Sequence, residues 1–443
     1  MSQHALAQLE RCVKEAQDEL GQIRISGSIK EVTPAYARVA GLSRFLKLGE
    51  CVSFLTDGLT QLAEVVRIDE QGATVKTFDT VALARLGERV YRADVLRIFP
   101  DHGWKGRVIN ALGVPIDAAG PLPLGKKAVP FDAPPPPAML RARVRNPLKT
   151  GVRVIDLFTP VCAGQRIGIF AGSGVGKSTL LAMLAGSRDF DTVVIALVGE
   201  RGREVREFLD DALALNRSLA VAVVATGDES PVMRRLAPKT AMSIAEFFRD
   251  QGQSVLLIID SITRFAHAAR DVAMAAGEFA VARGYTPSVF SDLPKLLERA
   301  GPGEEGKGTI TGIFSVLVDG DDLNDPVADA IRGTLDGHIV LDRAIADQGR
   351  FPAVNVLTSI SRLAQTAWTA EQNSLVGKLR ALIARFEDTR DLRLMGGYRE
   401  GTDADLDKAV TLVPKIYEAI TQSPRSGPSK DAFRELTDFL APK

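Results

Sequence analysis

This sequence has no surplus of either charge: its 443 residues carry 55 Lys and Arg against 55 Asp and Glu, a formal net charge of zero. A protein that coats nucleic acid or an anionic membrane normally needs a basic excess, so the balance weighs against both as main tasks. Cysteine is scarce. Cys12, Cys51 and Cys162 stand far apart with no C-x-x-C pair, which speaks against a disulfide framework or structural zinc and for a reducing compartment. Long apolar runs are missing as well. Stretches such as Val255-Leu256-Leu257-Ile258-Ile259 fall far short of the ~20 residues a membrane span requires. The first residues lead into a charged stretch rather than an apolar signal core. Together these absences give the expectation of a soluble, cytoplasmic protein. What is present is ordinary globular material, 45% apolar and 25% charged, able to bury sizeable cores. The length suggests about three domains.

Residues 5–20 read as a helical arm: Leu6, Leu9, Val13, Ala16 and Leu20 recur in steps of three and four, with charges on the other faces. From residue 22 to 98 the pattern changes to short strand-like runs, Ser28–Val32, Cys51–Leu55, Leu62–Ile68 and Ala73–Phe78, which suggest a small β-barrel. Residues 1–98 hold thirteen basic and thirteen acidic side chains. An oligonucleotide-binding barrel would show a positive groove and stacking aromatics; Tyr36, Phe45, Phe54, Phe78 and Tyr91 are scattered and fit core positions better. A Gly- and Pro-rich connection follows, with Pro134-Pro135-Pro136-Pro137 necessarily extended. Arg141, Arg143, Arg145 and Lys149 after it read as a solvated loop.

Between about 150 and 370, apolar strands alternate with helical stretches, the pattern of a parallel sheet covered on both faces. The strand candidates are Arg166–Phe170, Thr192–Val198, Ala220–Ala225, Val255–Ile259, Ile310–Val318 and His338–Leu341. Beyond about Leu375 only helices are expected: Lys378–Thr389, Asp405–Thr421 and Lys430–Leu440. The division is therefore 1–21 arm, 22–98 barrel, 99–372 α/β domain with a parallel sheet, and 373–443 helical domain.

The strongest chemical signal is Ala171-Gly172-Ser173-Gly174-Val175-Gly176-Lys177-Ser178, directly after the strand Ile167-Gly168-Ile169-Phe170. It fits a phosphate-binding loop with Ala171 in place of the first glycine. Such glycines let successive N–H groups point at phosphate oxygens, and the following helix adds its positive end. Lys177 would reach the β- and γ-phosphates of a bound nucleotide and Ser178 would bind Mg²⁺, with Thr179 next in the same turn. Asp260 ends the apolar run Val255–Ile259 and would face that loop as a Mg²⁺ holder, because ligands of open parallel sheets lie beyond the carboxyl ends of the strands. Glu200 follows the strand Thr192–Val198 and could polarise an attacking water; a surface charge at a helix start is the other reading.

Longer motifs carry a resemblance. Gly106–Asp117, Thr150–Asp156, Gly164-Gln165-Arg166 and the phosphate loop resemble the catalytic-head subunits of rotary ATP synthases. Gly199–Phe208, Arg283–Phe290, Asp336–Leu341 and Ser359-Ile360-Ser361-Arg362 resemble the ATPases of type III protein export, the flagellar branch above all. The resemblance implies a RecA-like nucleotide-binding domain flanked by an N-terminal β-barrel and a C-terminal helical domain. It implies a Mg²⁺-dependent ATPase in a homohexameric ring, peripheral to a membrane export gate at the inner face of the cell membrane. Regulator and stalk proteins, export substrates and their chaperones would be its partners, and nucleic acid would not. Glu200 matches the catalytic glutamate, Glu204 a second acidic residue near the metal, and Arg362 an arginine finger reaching into the neighbouring subunit's site. Phe351 matches an aromatic position that stacks on adenine. The sequence departs from the family at Gly277-Glu278-Phe279-Ala280, where two prolines usually follow the glutamate; that loop is expected to face the ring's centre.

Other readings share part of these features. The ATPase of an injection apparatus has the same motifs, and a synthase subunit needs an unlike partner. An RNA translocase has the same plan but wants a basic barrel, and a non-catalytic subunit would have no use for Glu200.

Overall fold

The computed structural model describes residues 25–441 apart from 94, 213–215, 319 and 321–324; the helix expected over 5–20 lies outside them. The chain divides into two compact units, Met1–Leu96 and Arg97–Lys443.

In the first unit, β1 (Ser26–Val32), β2 (Ala37–Ala40), β3 (Cys51–Thr56), β4 (Leu59–Asp69), β5 (Gly72–Thr77) and β6 (Arg89–Arg92) close into a barrel in the order β1-β2-β5-β4-β3-β6. Closure removes the exposed edges that an open sheet would leave. Register shifts at Ile29/Glu31 and Val65/Arg67 supply the local bends that let the strands curl. Alternate residues, among them Ile29, Val39, Val52, Phe54, Val65, Val75 and Val90, fill the interior. The two four-residue strands β2 and β6 escape the sequence pattern because each is too short to show alternation. Of the aromatics assigned to the core, Phe54 and Phe78 are buried and Phe45 is exposed. Tyr36 stays half-buried, its hydroxyl donating to Glu31.

The second unit is built on a nine-stranded sheet. Its strands are β7 (Val108–Asn110), β8 (Arg166–Ala171), β9 (Thr192–Val198), β10 (Ala220–Ala225), β11 (Ser254–Asp260), β12 (Thr309–Leu317), β13 (Gly337–Val340) and β14 (Ile360–Ser361), in the order β14-β13-β8-β12-β11-β9-β10-β7. The pairings from β13 through β7 are parallel, while β14 and the two-residue strand Gly301–Pro302 add antiparallel edges. Every residue of β9 and β10 is buried, as expected where helices cover both faces.

Helix α1 (Lys177–Ala185) follows β8, and α2 (Pro231–Asp250) and α3 (Ile262–Ala275) flank the sheet. Ser230 caps α2 by accepting from Met233 N–H, and Ser261 caps α3 by accepting from Arg264 N–H. At the C-terminal end come α4 (Ala370–Asp388), α5 (Ala404–Ile420) and α6 (Ala432–Leu440). Helix α4 begins eight residues before its sequence expectation because Thr369 and Gln372 form a capping box there. These helices bury Val376, Leu379, Val413, Ile416 and Leu436 in the same core as Ile167, Ile169 and Leu181 of the phosphate-loop region. Arg141, expected in a solvated loop, instead donates to Pro136 O and reaches Glu298 at 3.3 Å.

Candidate nucleotide-binding site

The phosphate loop is shaped by its glycines. β8 ends at Ala171 and α1 begins at Lys177; between them Gly174 and Gly176 take φ of 79° and 90°, a region that L side chains avoid. Phe351 lies just outside Gly176: a Cβ there would be in ordinary contact with its ring at 3.4 Å, so it is the positive φ that calls for glycine. Val175 anchors the loop in the core, and Arg343 donates to Ser173 O at 2.9 Å. α1 therefore opens onto the carboxyl edge of the sheet with its first-turn N–H groups turned toward the site.

Four charged side chains converge at that edge. Asp260, at the end of β11, is 3% exposed and forms a close ion pair with Lys177 Nζ. The Ser315 hydroxyl donates to the same Asp260 Oδ1 at 2.8 Å. Glu200 lies 3.9 Å from Lys177 Nζ and 3.4 Å from Arg264. Gly199 before it takes φ 68°, and a Cβ there would strike Arg264. Glu200 Oε1 is buried with no hydrogen-bond partner among the described residues. Burial foremost, then the negative charge of Asp260, pushes the Glu200 carboxyl up to about 7, against the partial pull of Lys177 and Arg264.

A cavity of about 340 Å³ opens here, lined by Ser178, Thr179, Ala182, Glu200, Glu204, Asp260 and Pro424 among others. The sequence-selected Lys177, Ser178, Thr179, Glu200, Glu204 and Asp260 are thus gathered at one place, with Gly172–Gly176 as the loop beside it. Phe351 stands at the loop's flank, its ring against Gly176 and 41% exposed.

Arg362 is not part of this gathering. It is exposed, and its backbone N–H donates to Asp336 O. Asp336 in turn binds Arg166, at the start of β8, whereas the phosphate loop leaves the other end of that strand. Six strand residues at about 3.3 Å each put Arg362 roughly 20 Å from its own chain's loop.

Sequence reasoning missed four residues that shape the site. Arg264 and Ser315 hold the two carboxylates, and Pro424 lines the cavity from the far C-terminal region. Gln422 is 3% exposed and ties that region in. Its backbone N–H donates to Phe351 O and its Nε2 to Gly151 O and Gly427 O, while its Oε1 accepts from Arg153 N–H. Ser261-Ile262-Thr263-Arg264 directly after Asp260 was the available signal for Arg264; Gln422 and Ser315 have none in the sequence.

Comparison with known proteins fits this geometry. Residues 151–361 match the ATP synthase alpha/beta family, nucleotide-binding domain, and residues 368–437 match the T3SS EscN ATPase C-terminal domain. A flagellum-specific ATP synthase of Agrobacterium fabrum is 55% identical over 98% of this chain and 92% of its own length. The chain belongs to the family of flagellar and type III secretion ATPases. It is an ATP-hydrolysing enzyme of RecA-like α/β fold with an N-terminal barrel and C-terminal helices. Its relatives include the SPI-2 type 3 secretion system ATPase of Salmonella typhimurium, 45% identical over 82% of this chain and 83% of that one. Among solved structures, the assembled ATPase EscN of the enteropathogenic E. coli type III secretion system superposes with a TM-score of 0.87 at 39% identity, covering 94% of this ATPase and 100% of that chain. EscN in complex with its central stalk EscO gives 0.84 at 38% identity, with the same two coverages.

Proposed function

We propose that this ATPase hydrolyses Mg²⁺-bound ATP to energise flagellar type III protein export, releasing substrates from chaperones and promoting their entry into the export gate. The observation that carries the chemistry is the buried Glu200 carboxylate beside Lys177, with an oxygen that has no hydrogen-bond partner among the described residues. Deprotonated, it accepts from the attacking water and aims it at the γ-phosphate. Lys177 exchanges Asp260 for the β- and γ-phosphate oxygens when nucleotide enters, and Gly172–Ser178 and Thr179 wrap the phosphates with N–H groups. Phe351 stacks on the base, and Pro424 lines the cavity that takes the nucleotide.

The donor set suits Mg²⁺. Among the described residues no three His, Cys, Asp or Glu side chains form a closed metal cage, and Mg²⁺ takes only one or two carboxylates beside phosphate oxygens and water. Ser178 and Asp260 would hold it, with Glu204 behind. Bound there, it would neutralise charge on the phosphate oxygens.

Arg362 lies too far from its own loop to act in cis, which supports a site completed by a neighbouring chain in a homohexameric ring. An arginine finger of this kind is worth about 10³–10⁵ in rate. EscN, assembled and bound to its stalk, supports both the ring and a stalk partner for this chain. Phe279, 88% exposed in the loop where the resemblance leads one to expect prolines, supports a contact with a stalk partner. No helix among the described residues is long and apolar enough to cross a membrane, in keeping with a peripheral position at the cytoplasmic face. The match at 368–437 supports treating 373–443 as a helical module after the barrel at 22–98 and the ATPase domain at 99–372.

Mixing Arg362→Ala with Glu200→Ala subunits tests the shared site: some rings then pair an intact Glu200 with an intact Arg362, and activity returns. Mixed rings as inactive as either parent sink the idea. Identity of 55% to the Agrobacterium fabrum flagellar relative, against 45% to the SPI-2 secretion ATPase, favours the flagellar system over an injection apparatus. Recovery of injection-apparatus components instead of flagellar ones with the purified chain reverses that assignment.

A further inference from the structure

Ser315 lies near the end of β12, fully buried, with Ile169 of β8 opposite it on one side. On the other side Phe314 is paired with Ile259 of β11, so the next position along brings Ser315 beside Asp260. A hydroxyl enclosed in such a layer must find a partner. It donates to Asp260 Oδ1 at 2.8 Å. Two residues on, Thr263 Oγ1 accepts from Leu317 N–H at 2.8 Å and donates to Leu317 O at 3.3 Å. The end of β12 therefore grips both the carboxylate and the start of the helix that follows it.

Asp260 Oδ1 has two donors here, Ser315 and Lys177. Nucleotide phosphates draw Lys177 away, which leaves Ser315 as the group still holding that oxygen. We propose that Ser315 is a positioning residue: it fixes the Asp260 carboxylate so that its second oxygen faces the cavity, and thereby sets the affinity for metal-bound nucleotide. The inference rests on the metal-holding role proposed above for Asp260.

The test uses the full chain and a fluorescent ATP analogue, titrated once with Mg²⁺ and once with EDTA, in the unaltered protein and in Ser315→Ala. That substitution removes one oxygen and leaves the layer packed. Affinity for the Mg²⁺-bound analogue is expected to fall about ten-fold, the worth of a hydrogen bond to a charged group, while metal-free affinity is unchanged. A merely structural role for Ser315 would weaken both equally, and that result overturns the proposal. So does a Ser315→Ala protein that keeps the original ratio of the two affinities. If the unaltered protein itself binds equally well with and without Mg²⁺, the metal role of Asp260 fails first, and this proposal with it. Should thermal melting show Ser315→Ala unfolded, Ser315→Cys, a near-isosteric weaker donor, is read on the same ratio, with a drop expected and no drop overturning.

Discussion

Two clusters of buried charge in the second unit are built to opposite rules. Arg299 and Glu246 are 3% and 7% exposed and meet through two hydrogen bonds of 2.8 and 3.0 Å. Two further guanidinium N–H groups reach Phe131 O and Ser243 Oγ. One charge meets one charge, and the geometry is bidentate. At the phosphate loop, two carboxylates share one lysine, Arg264 assists from 3.4 Å, and a Glu200 oxygen has no hydrogen-bond partner among the described residues. A satisfied network fastens α2 to the segments beside it. An unsatisfied one leaves electrostatic room for a ligand that brings its own charges, which is how functional sites differ from structural ion pairs.

The largest expected effect separates the clusters by activity. Glu200→Gln should lower ATP turnover by about 10²–10⁴-fold while nucleotide binding persists, checked by phosphate release and nucleotide titration. Melting temperature should hold or rise, because an incompletely paired buried carboxylate is gone.

Arg299→Ala should do the reverse. Leaving Glu246 buried and alone costs about 3–5 kcal/mol in urea unfolding, with little change in kcat/KM for the protein that remains folded. Equal losses of turnover in the two variants would erase the distinction between the clusters.

The pH dependence sharpens it further. Glu200 titrates near 7 in the folded chain against an ordinary value of 4.5. Between those values the unfolded chain has released this proton and the folded chain still holds it, so stability falls as pH rises and levels off above about 7. Glu200→Gln should remove that slope in a series of melts. kcat/KM should rise through about pH 7 as the free enzyme's base ionises.

The smallest effect tests the flank of the loop. Phe351→Ala should weaken nucleotide binding by about ten-fold, from the loss of roughly 1–3 kcal/mol of base stacking. Turnover at saturating ATP should stay close to normal, as measured by the separation of KM from kcat.

How much of this was readable in the chain differs from residue to residue. Gly174, Gly176, Lys177 and Ser178 act through backbone conformation and a helix start, properties that neighbouring residues impose, so their place was plain. Asp260 and Glu200 were readable as strand ends because an open parallel sheet gathers those ends at one edge. Arg264 and Ser315 were not, since each matters through a side chain brought in by another element. Gln422 lies 71 positions beyond Phe351 in the numbering and yet donates to its carbonyl. Phe45 misled, because it falls in the turn between β2 and β3, where no strand alternation directs a side chain inward.

The zero net charge and the scarcity of cysteine and long apolar runs limited the class of protein, and local periodicity and loop chemistry determined the strand order of events: phosphate loop, glutamate, aspartate. Those are properties of contiguous residues, which a sequence states directly. Tertiary structure alone decided that two carboxylates share Lys177, that an oxygen of Glu200 lacks a hydrogen-bond partner among the described residues, and that Arg362 stands at the wrong end of β8 for its own site. Each depends on distances between segments, and on the burial that strengthens charge interactions only after the sheet has assembled.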